Sequence, residues 1–266
     1  MPFFSIIIPT FNSARTIGRC IESIIKQDWV DYEIIVQDGE STDQTKSLVQ
    51  RFGDRRIIFN SETDEGVYDA MNKALRRARG DWFLFLGSDD ALFEDHILSS
   101  CAAYLKCADS KLVYGNVMID GGTPWAKDGE IYKGEIPLED FFRHNICHQS
   151  IFYHHTLFAA NNEYNTQYAV CADYDFNLRA ISATNPIYIP LTIARFAGGG
   201  LSSTQGDPSF ELDKWSIIIS HYGWKIANSK FKSDKANIKK AAFQFIKKGD
   251  VKLAIRALMI YLKLKF

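Results

Sequence analysis

Phe3-Phe4-Ser5-Ile6-Ile7-Ile8-Pro9-Thr10-Phe11-Asn12 opens the chain with an apolar run that Pro9 ends. The run reads as a buried strand. Asn12 or Ser13 can cap a following helix that carries Ile17, Ile21, Ile24 and Ile25 at helical spacing. The alternation then repeats. Tyr32–Val36 is a second short apolar run, stopped by Asp38-Gly39, and Ser41 and Thr42 offer caps for a helix through Leu48 and Val49. Arg56–Phe59 is a weaker third strand, Val67–Ala78 a helix ended by Gly80, and Trp82–Leu86 a fourth strand broken at Gly87. A helix from Glu94 to Cys107 and a strand from Leu112 to Met118 complete the series.

Strand–helix repeats with such short links predict an α/β fold with a Rossmann-like, mostly parallel sheet, helices on both faces and right-handed crossovers. Ligands bind such sheets beyond the carboxyl ends of the strands. Three polar clusters fall there: Thr10-Phe11-Asn12, Asp38-Gly39 and Ser88-Asp89-Asp90. One site assembled from three loops is therefore expected. Beyond Ile119 the alternation is lost. Gly121–Gly134 reads as an irregular loop or hairpin, Pro137–Arg143 as a short helix and Ser150–Tyr153 as a strand. Asp173–Ala183 reads as a helix, Ile187–Ile189 and Thr192–Phe196 as two strands, and Gly198–Gly206 as a flexible stretch or lid. From Glu211 the pattern is helical.

The 266 residues suffice for one large domain with a modest appendage. Five scattered cysteines (Cys20, Cys101, Cys107, Cys147 and Cys171) show no CxxC spacing, which argues for a reducing compartment and against a thiolate metal site. No basic n-region precedes the first strand, and no window approaches the ~20 apolar residues of a membrane span. The expected location is cytoplasmic, with peripheral attachment at the inner face of the cell membrane as an option. The net charge of −1 hides an asymmetry: residues 225–266 hold twelve Lys or Arg and two Asp, a tail of +10 against a body of −11. An acidic body excludes a nucleic-acid-binding role, while a basic tail invites an anionic surface.

No GxGxxG follows a strand and no GxxxxGK[ST] exists, so neither glycine-rich phosphate cradle is present. Bound phosphates would need another source of positive charge. A divalent cation, Mn2+ or Mg2+, held by Asp89-Asp90 is the substitute that hard oxygen ligands favour. Taken alone, Ser88 or Asp89 reads equally well as a helix cap. Ser41, Thr42 and Asp43 read as caps, whereas Asp38 can accept the imide N–H of uracil. His144 and His148 have i, i+4 spacing, but the glutamate of HExxH is absent and Cys147-His148 opens a strand, so zinc is not expected.

The ordered set Pro9-Thr10-Phe11-Asn12, Asp38-Gly39-Glu40-Ser41-Thr42-Asp43, Glu65-Gly66-Val67-Tyr68-Asp69-Ala70-Met71-Asn72-Lys73 and Gly87-Ser88-Asp89-Asp90 resembles family 2 glycosyltransferases of the GT-A fold. Cys147-His148-Gln149, Ala172-Asp173-Tyr174-Asp175 with Arg179, and Gly199-Gly200-Leu201-Ser202 extend the likeness over residues 3–205. In one departure, Gln37 stands before Asp38, where the family often has a second acid.

The resemblance implies an inverting transfer from a UDP-sugar. Pro9, Thr10, Asn12 and Asp38 would line the nucleoside pocket, with Asp69 and Asn72 approaching it from one helix face. Core packing is the preferred reading for Tyr68 and Met71. Asp89 would face the ribose and donor sugar, and Asp90 would coordinate the metal. Asp173 is the expected general base, with Asp175 as competitor. His148, Arg179 and Trp125 are candidate contacts to acceptor or diphosphate; packing, a surface ion pair and an aromatic anchor are their plain alternatives.

The implied division is residues 1–208 as the GT-A domain, with a nucleotide-binding half (1–118) and an acceptor-binding half (119–208). Residues 209–266 form a helical, basic, amphipathic segment. Val251, Ala254, Ile255, Leu258, Met259 and Leu262 fall at helical spacing there, for contact with lipid, with the domain or with a second subunit in a homodimer. The resemblance points to a hexose or N-acetylhexosamine moved to a saccharide, including a lipid-linked one, in bacterial surface polysaccharide assembly such as O-antigen. Two other classes compete. A sugar-nucleotide nucleotidyltransferase would need a Gly-rich, Arg-containing loop where Pro9-Thr10-Phe11-Asn12 stands, and a nucleotide-sugar-binding module would not need Asp173.

Overall fold

The structure is a computed structural model and describes residues 1–159 and 162–265. β1 (Phe4–Thr10), α1 (Ile17–Ile25), β2 (Tyr32–Asp38), α2 (Thr45–Arg51), β3 (Ile57–Ser61), α3 (Val67–Leu75) and β4 (Trp82–Phe85) follow the alternation read from the sequence. Next come β5 (Ala91–Leu92), α4 (Ile97–Leu105), β6 (Leu112–Asp120), β7 (Ile131–Tyr132), α5 (Leu138–Phe141), β8 (Ile151–His154), α6 (Ala172–Ala183) and β9 (Ile187–Ala197). The chain ends in α7 (Leu201–Thr204), α8 (Pro208–Tyr222), α9 (Lys235–Lys247) and α10 (Val251–Lys265).

The strands form one sheet in the order β3-β2-β1-β4-β8-β6-β9-β5, with β7 beside β6. β3, β2, β1 and β4 are mutually parallel, as is β6 with β9. β8 runs antiparallel between β4 and β6, because the long excursion after β6 returns the chain at the opposite end of the sheet. The fold is the expected α/β type, with a parallel half and an antiparallel extension.

β1, β2 and β4 are buried on both faces, which is why they read as mainly apolar runs, whereas β3 at the sheet edge is only half-buried and reads more weakly. Phe4, Ile6 and Ile8 pack with α1 and α4 in one core cluster, while Ile7 packs with α3 in the other. Register places the carboxyl ends together: Thr10 is paired with Asp38, and Asp38 with Ser61. At the other end of the sheet, Glu33 is buried and accepts from Ser5 Oγ (2.7 Å) and from the Arg79 guanidinium (2.9 Å). Gly80 fits there because a Cβ would lie 2.5 Å from the Ser5 nitrogen.

Several local expectations change. β9 is one strand rather than two: Pro190 and Leu191 are absorbed where the β6–β9 register slips, around Gly115. A Cβ on Gly115 would sit 2.5 Å from the Leu191 carbonyl, so only glycine admits this close passage. Part of the Gly198–Gly206 stretch is the helical turn α7 rather than open loop. Ser41 and Thr42 do not cap α2, whose N-cap is Gln44.

α8, α9 and α10 join the same buried cluster as Ile7 and Phe85, through Phe210, Ile218, Ile238, Phe245, Ala257 and Ile260 among others. Of the six apolar residues singled out on α10, only Ala254 is buried. The inward face is instead Ala254, Ala257, Ile260 and Leu264, two of them small enough to let α10 lie close on α9. Among the described residues no helix is long and apolar enough to cross a membrane.

Candidate active site

Three loops meet at the carboxyl ends of β1, β2 and β4. Asn12 adopts φ 49°, a left-handed conformation that Asn tolerates. That turn aims its Oδ1 at the Thr42 N–H (2.9 Å), while its own N–H donates to Ser41 Oγ (2.7 Å). Asp38 is buried and accepts from Ser41 N (3.0 Å), Ser41 Oγ (2.5 Å) and Ser61 Oγ (2.6 Å). Asp43 bridges Ala14 N and Thr45. The polar residues that read as helix caps therefore tie the second loop to the first. Ser13 Oγ then lies 2.7 Å from Ser88 Oγ and links the first loop to the third. Thr10 is buried beside Asp38, and its hydroxyl has no hydrogen-bond partner among the described residues.

The acidic pair sits on the third loop. Asp90 is buried and accepts from Gly87 N (2.8 Å), Gln149 Nε2 (3.0 Å) and Ala197 N (2.9 Å), which ties β4 to the approaches of β8 and β9. Burial, then the neighbouring Asp89 charge, push its carboxyl up to about 6 despite those three donors. Asp89 is half-buried, and among the described residues its carboxylate takes no hydrogen bond. Its carbonyl is held by Arg19 of α1 (2.6 Å). Gly87 is what lets the two carboxylates converge. A Cβ there would lie 2.6 Å from Asp89 Oδ1 and 2.8 Å from Asp90 Oδ2.

The first turn of α6 brings Asp173 to the same cleft. Its Oδ1 accepts from Tyr68 Oη (3.0 Å) and Tyr174 N (2.8 Å). Its Oδ2 accepts from Asn145 Nδ2 (2.8 Å) and lies 3.2 Å from His148 Nδ1. Asp175, two residues on, points elsewhere: Arg179 grips it at 2.9 Å while also reaching Asn162 and the Glu163 carbonyl. Burial outweighs that guanidinium and leaves the Asp175 carboxyl above its usual range.

The cleft encloses about 520 Å³ and brings together Pro9, Asp89, Asp90, Trp125, His148 and Asp173 from the residues picked in the sequence. Trp125 leans on Tyr132 and Phe196, with ring centroids 4.7 and 5.7 Å away, and remains partly exposed to the opening. Thr10, Asn12, Asp38, Asp69, Asn72 and Arg179 do not line it. Asp69 pairs with Lys73 (2.8 Å), and both ends of the Asn72 amide bind the backbone of Tyr164 (3.0 Å each). Tyr68 and Met71, read as core, are buried in the core cluster as expected and also form part of the cleft lining. The spacing of α3 was legible, but which of its faces meets α6 is decided only when residues 163–173 pack on it.

Lys214 and Glu211 of α8 also line the cleft, and nothing in the sequence marked them. The ammonium of Lys214 lies 4.8 Å from the Tyr174 ring centroid and has no ion pair among the described residues. Burial holds its pKa down. Residues 142–147 are not helical, so His144 and His148 share no helix face.

The convergence over Gly87 tests whether the chain suits a divalent cation. Among the described residues no group of three His, Cys, Asp or Glu surrounds one point. Two carboxylates nonetheless approach a common point in a cleft, and both oxygens are hard donors of the kind Mg2+ or Mn2+ takes. The two carboxylates are a donor set that fits a divalent cation.

Comparison with known proteins agrees with this architecture. The family description "Glycosyl transferase family 2" matches residues 5–167. A Mycobacterium bovis protein named PGL/p-HBAD biosynthesis glycosyltransferase is 41% identical over 220 residues, covering 79% of this chain and 82% of its own. The Escherichia coli UDP-Glc:alpha-D-GlcNAc-diphosphoundecaprenol beta-1,3-glucosyltransferase WfgD is 35% identical over 116 residues, 43% of this chain and 46% of its own. Among solved structures, S. aureus TarS 1-349 in complex with UDP-GlcNAc superposes with a TM-score of 0.65 at 17% identity, over 94% of this chain and 89% of that one. Glucosyl-3-phosphoglycerate synthase from Mycobacterium tuberculosis, crystallised with Mn2+, UDP and glucosyl-3-phosphoglycerate, gives 0.52 at 18% identity over 83% and 80%. The two structures speak to the fold alone. The sequence matches, on a sheet whose carboxyl ends carry the acidic pair, establish that this chain is a glycosyltransferase belonging to glycosyl transferase family 2.

Proposed function

We propose that the chain is an inverting transferase that moves a hexose or N-acetylhexosamine from a UDP-sugar to a saccharide acceptor carried on a lipid, in bacterial surface polysaccharide assembly. The observation that carries this reading is that Asp89, Asp90 and Asp173 line one cleft, with Asp90 held by Gln149 and Asp173 beside the adjacent His148. Such a cleft can hold a leaving diphosphate and an attacking hydroxyl on opposite sides of one anomeric carbon. The name of the Escherichia coli relative, with its UDP-glucose donor and diphosphoundecaprenol acceptor, supports the donor and acceptor classes. UDP-GlcNAc in TarS, and UDP with Mn2+ in the synthase, support a uridine diphosphate site and a divalent cation.

In this reading the nucleoside lies over the Pro9–Asn12 and Asp38 loops, which Asn12 and Asp38 hold in shape, while Asp69 and Asn72 brace α3. Asp89 faces the ribose and donor sugar, and Asp90 is the cation ligand, with three donors fixing its carboxylate. The cation, when bound, neutralises charge developing on the leaving diphosphate. Trp125 offers an aromatic face to the acceptor sugar. The acceptor hydroxyl gives its proton to Asp173 Oδ2 as its oxygen bonds to the anomeric carbon and UDP departs. Lys214 supplies a cation on the acceptor-side wall for a phosphate group.

One geometric fact favours a second reading of the proton's destination. Asp173 already receives donors from Tyr174 and Asn145 and shares the Tyr68 hydroxyl with the Val170 carbonyl, and His148 Nδ1 occupies the fourth position a carboxylate can fill. With Asp173 orienting that ring, His148 Nε2 becomes the base.

The test is a donor screen with Mn2+, reporting UDP release. Slow release from one UDP-sugar, accelerated by the matching acceptor, is expected. No release and no Mn2+-dependent binding of any UDP-sugar would refute the reading. Diphosphate release from a nucleoside triphosphate and a sugar phosphate would assign nucleotidyl transfer instead.

A further inference from the structure

α10 is apolar on two faces. The inner face buries Ala254, Ala257, Ile260 and Leu264 in the main core. The outer face leaves Val251 (66%), Ile255 (53%), Met259 (50%) and Leu262 (51%) exposed, with Leu258 between them. At ~100° per residue these five occupy a single arc of about 100° along the helix. Lys252, Arg256 and Lys263 run along one edge of that arc. Neighbouring α9 exposes Phe243 and Ile246 as well. The inner face already supplies the packing that anchors α10, so the outer stripe serves no core. Isolated exposed apolar residues are ordinary, but a continuous stripe rimmed by charge marks a binding surface.

Charge selects the occupant. Residues 225–266 hold twelve Lys or Arg against two Asp. A second copy presenting the same face across a two-fold axis would set two strongly basic surfaces against each other. An anionic lipid surface satisfies both features at once. We propose that the outer face of α10 docks on an anionic bilayer, with Val251, Ile255, Leu258, Met259 and Leu262 among the acyl chains and Lys252, Arg256 and Lys263 at the headgroup phosphates. The helix lies in the interface plane, since no described helix is long enough to cross. This placement goes beyond the transfer reaction and does not depend on the donor or the acceptor.

The experiment is vesicle flotation of the full chain, with phosphatidylcholine vesicles and with phosphatidylcholine–phosphatidylglycerol vesicles. Binding to the mixed vesicles, weakened by salt and largely absent with phosphatidylcholine alone, is expected. The triple variant Ile255→Ser, Leu258→Ser, Met259→Ser changes only exposed side chains, and its partitioning should fall on the order of tenfold or more. Lys252→Glu with Lys263→Glu should remove the preference for phosphatidylglycerol. Wild-type protein that stays with neither vesicle, or a triple variant that floats like wild type, overturns the proposal. A concentration-dependent dimer in sedimentation velocity that the triple variant abolishes, with no vesicle binding, assigns the face to a second copy and overturns it too.

Discussion

Acidifying the metal-free protein should relieve a cost that Asp90 imposes on the fold. Its carboxyl sits at about 6 in the folded chain against an ordinary value of 3.8, because it is buried beside Asp89. The folded state therefore binds this proton more tightly than the unfolded one. Below about pH 4 the group is protonated in both states and contributes nothing; above about pH 6 it is ionised in both and the full cost applies. A rise from 3.8 to about 6 corresponds to about 3 kcal/mol, an upper bound. Stability from this group should fall as pH rises through that window, opposite to the usual behaviour of a paired carboxylate. Other groups titrate in the same range, so the observable is a difference: urea unfolding of wild type and Asp90→Asn, in chelator, across the window. Asn cannot accept all three donors from Gly87, Gln149 and Ala197, so the variant carries its own pH-independent penalty. The wild-type-minus-variant difference should nonetheless slope by up to ~3 kcal/mol between about pH 4 and pH 6. A flat difference would refute the burial argument. Mn2+ with UDP should stabilise wild type more at about pH 8 than at about pH 5, where roughly nine-tenths of Asp90 carries a proton.

Gly87→Ala should force Asp90 off its three donors, since that carboxylate is pinned while Asp89 can swing aside; a stability loss of about 1–3 kcal/mol and loss of Mn2+-dependent UDP binding by calorimetry are expected. Asp173→Asn should retain UDP binding and lower transfer by about 10²–10⁴-fold. His148→Gln decides the proton's route: a comparable loss assigns the base to His148, and a modest one leaves it with Asp173. Tyr68→Phe removes the hydroxyl that reaches Asp173 and the Val170 carbonyl, which should cost about 1–2 kcal/mol in unfolding experiments and depress transfer more than donor affinity. Arg179→Ala strands the buried Asp175 and should destabilise by roughly 3 kcal/mol, with UDP affinity intact in the folded fraction.

What the sequence determined by itself was the parallel half of the sheet and the edge where chemistry gathers. Strands buried on both faces are dominated by apolar residues, and the loops at their carboxyl ends carry the polar clusters, so Ile6–Ile8, Asp38 and Asp89-Asp90 could be placed from the sequence. The order of family motifs along the chain added Asp173 and His148. Which faces meet was decided by tertiary structure. Asn72 shares a helix with Tyr68, yet the packing of residues 163–173 turns Asn72 to the Tyr164 backbone and Tyr68 to Asp173. Asp175 lies two residues from Asp173, and the rotation of α6 gives one to Arg179 and the other to the cleft. Lys214 enters the site from a helix read as an appendage, because α8 folds back onto α6. On α10 the apolar residues were countable in the sequence, but only packing against α9 shows that Ala254 and Ala257 face inward and that Ile255 and Met259 are left outside. Periodicity fixes which residues share a face; long-range contacts fix what that face touches.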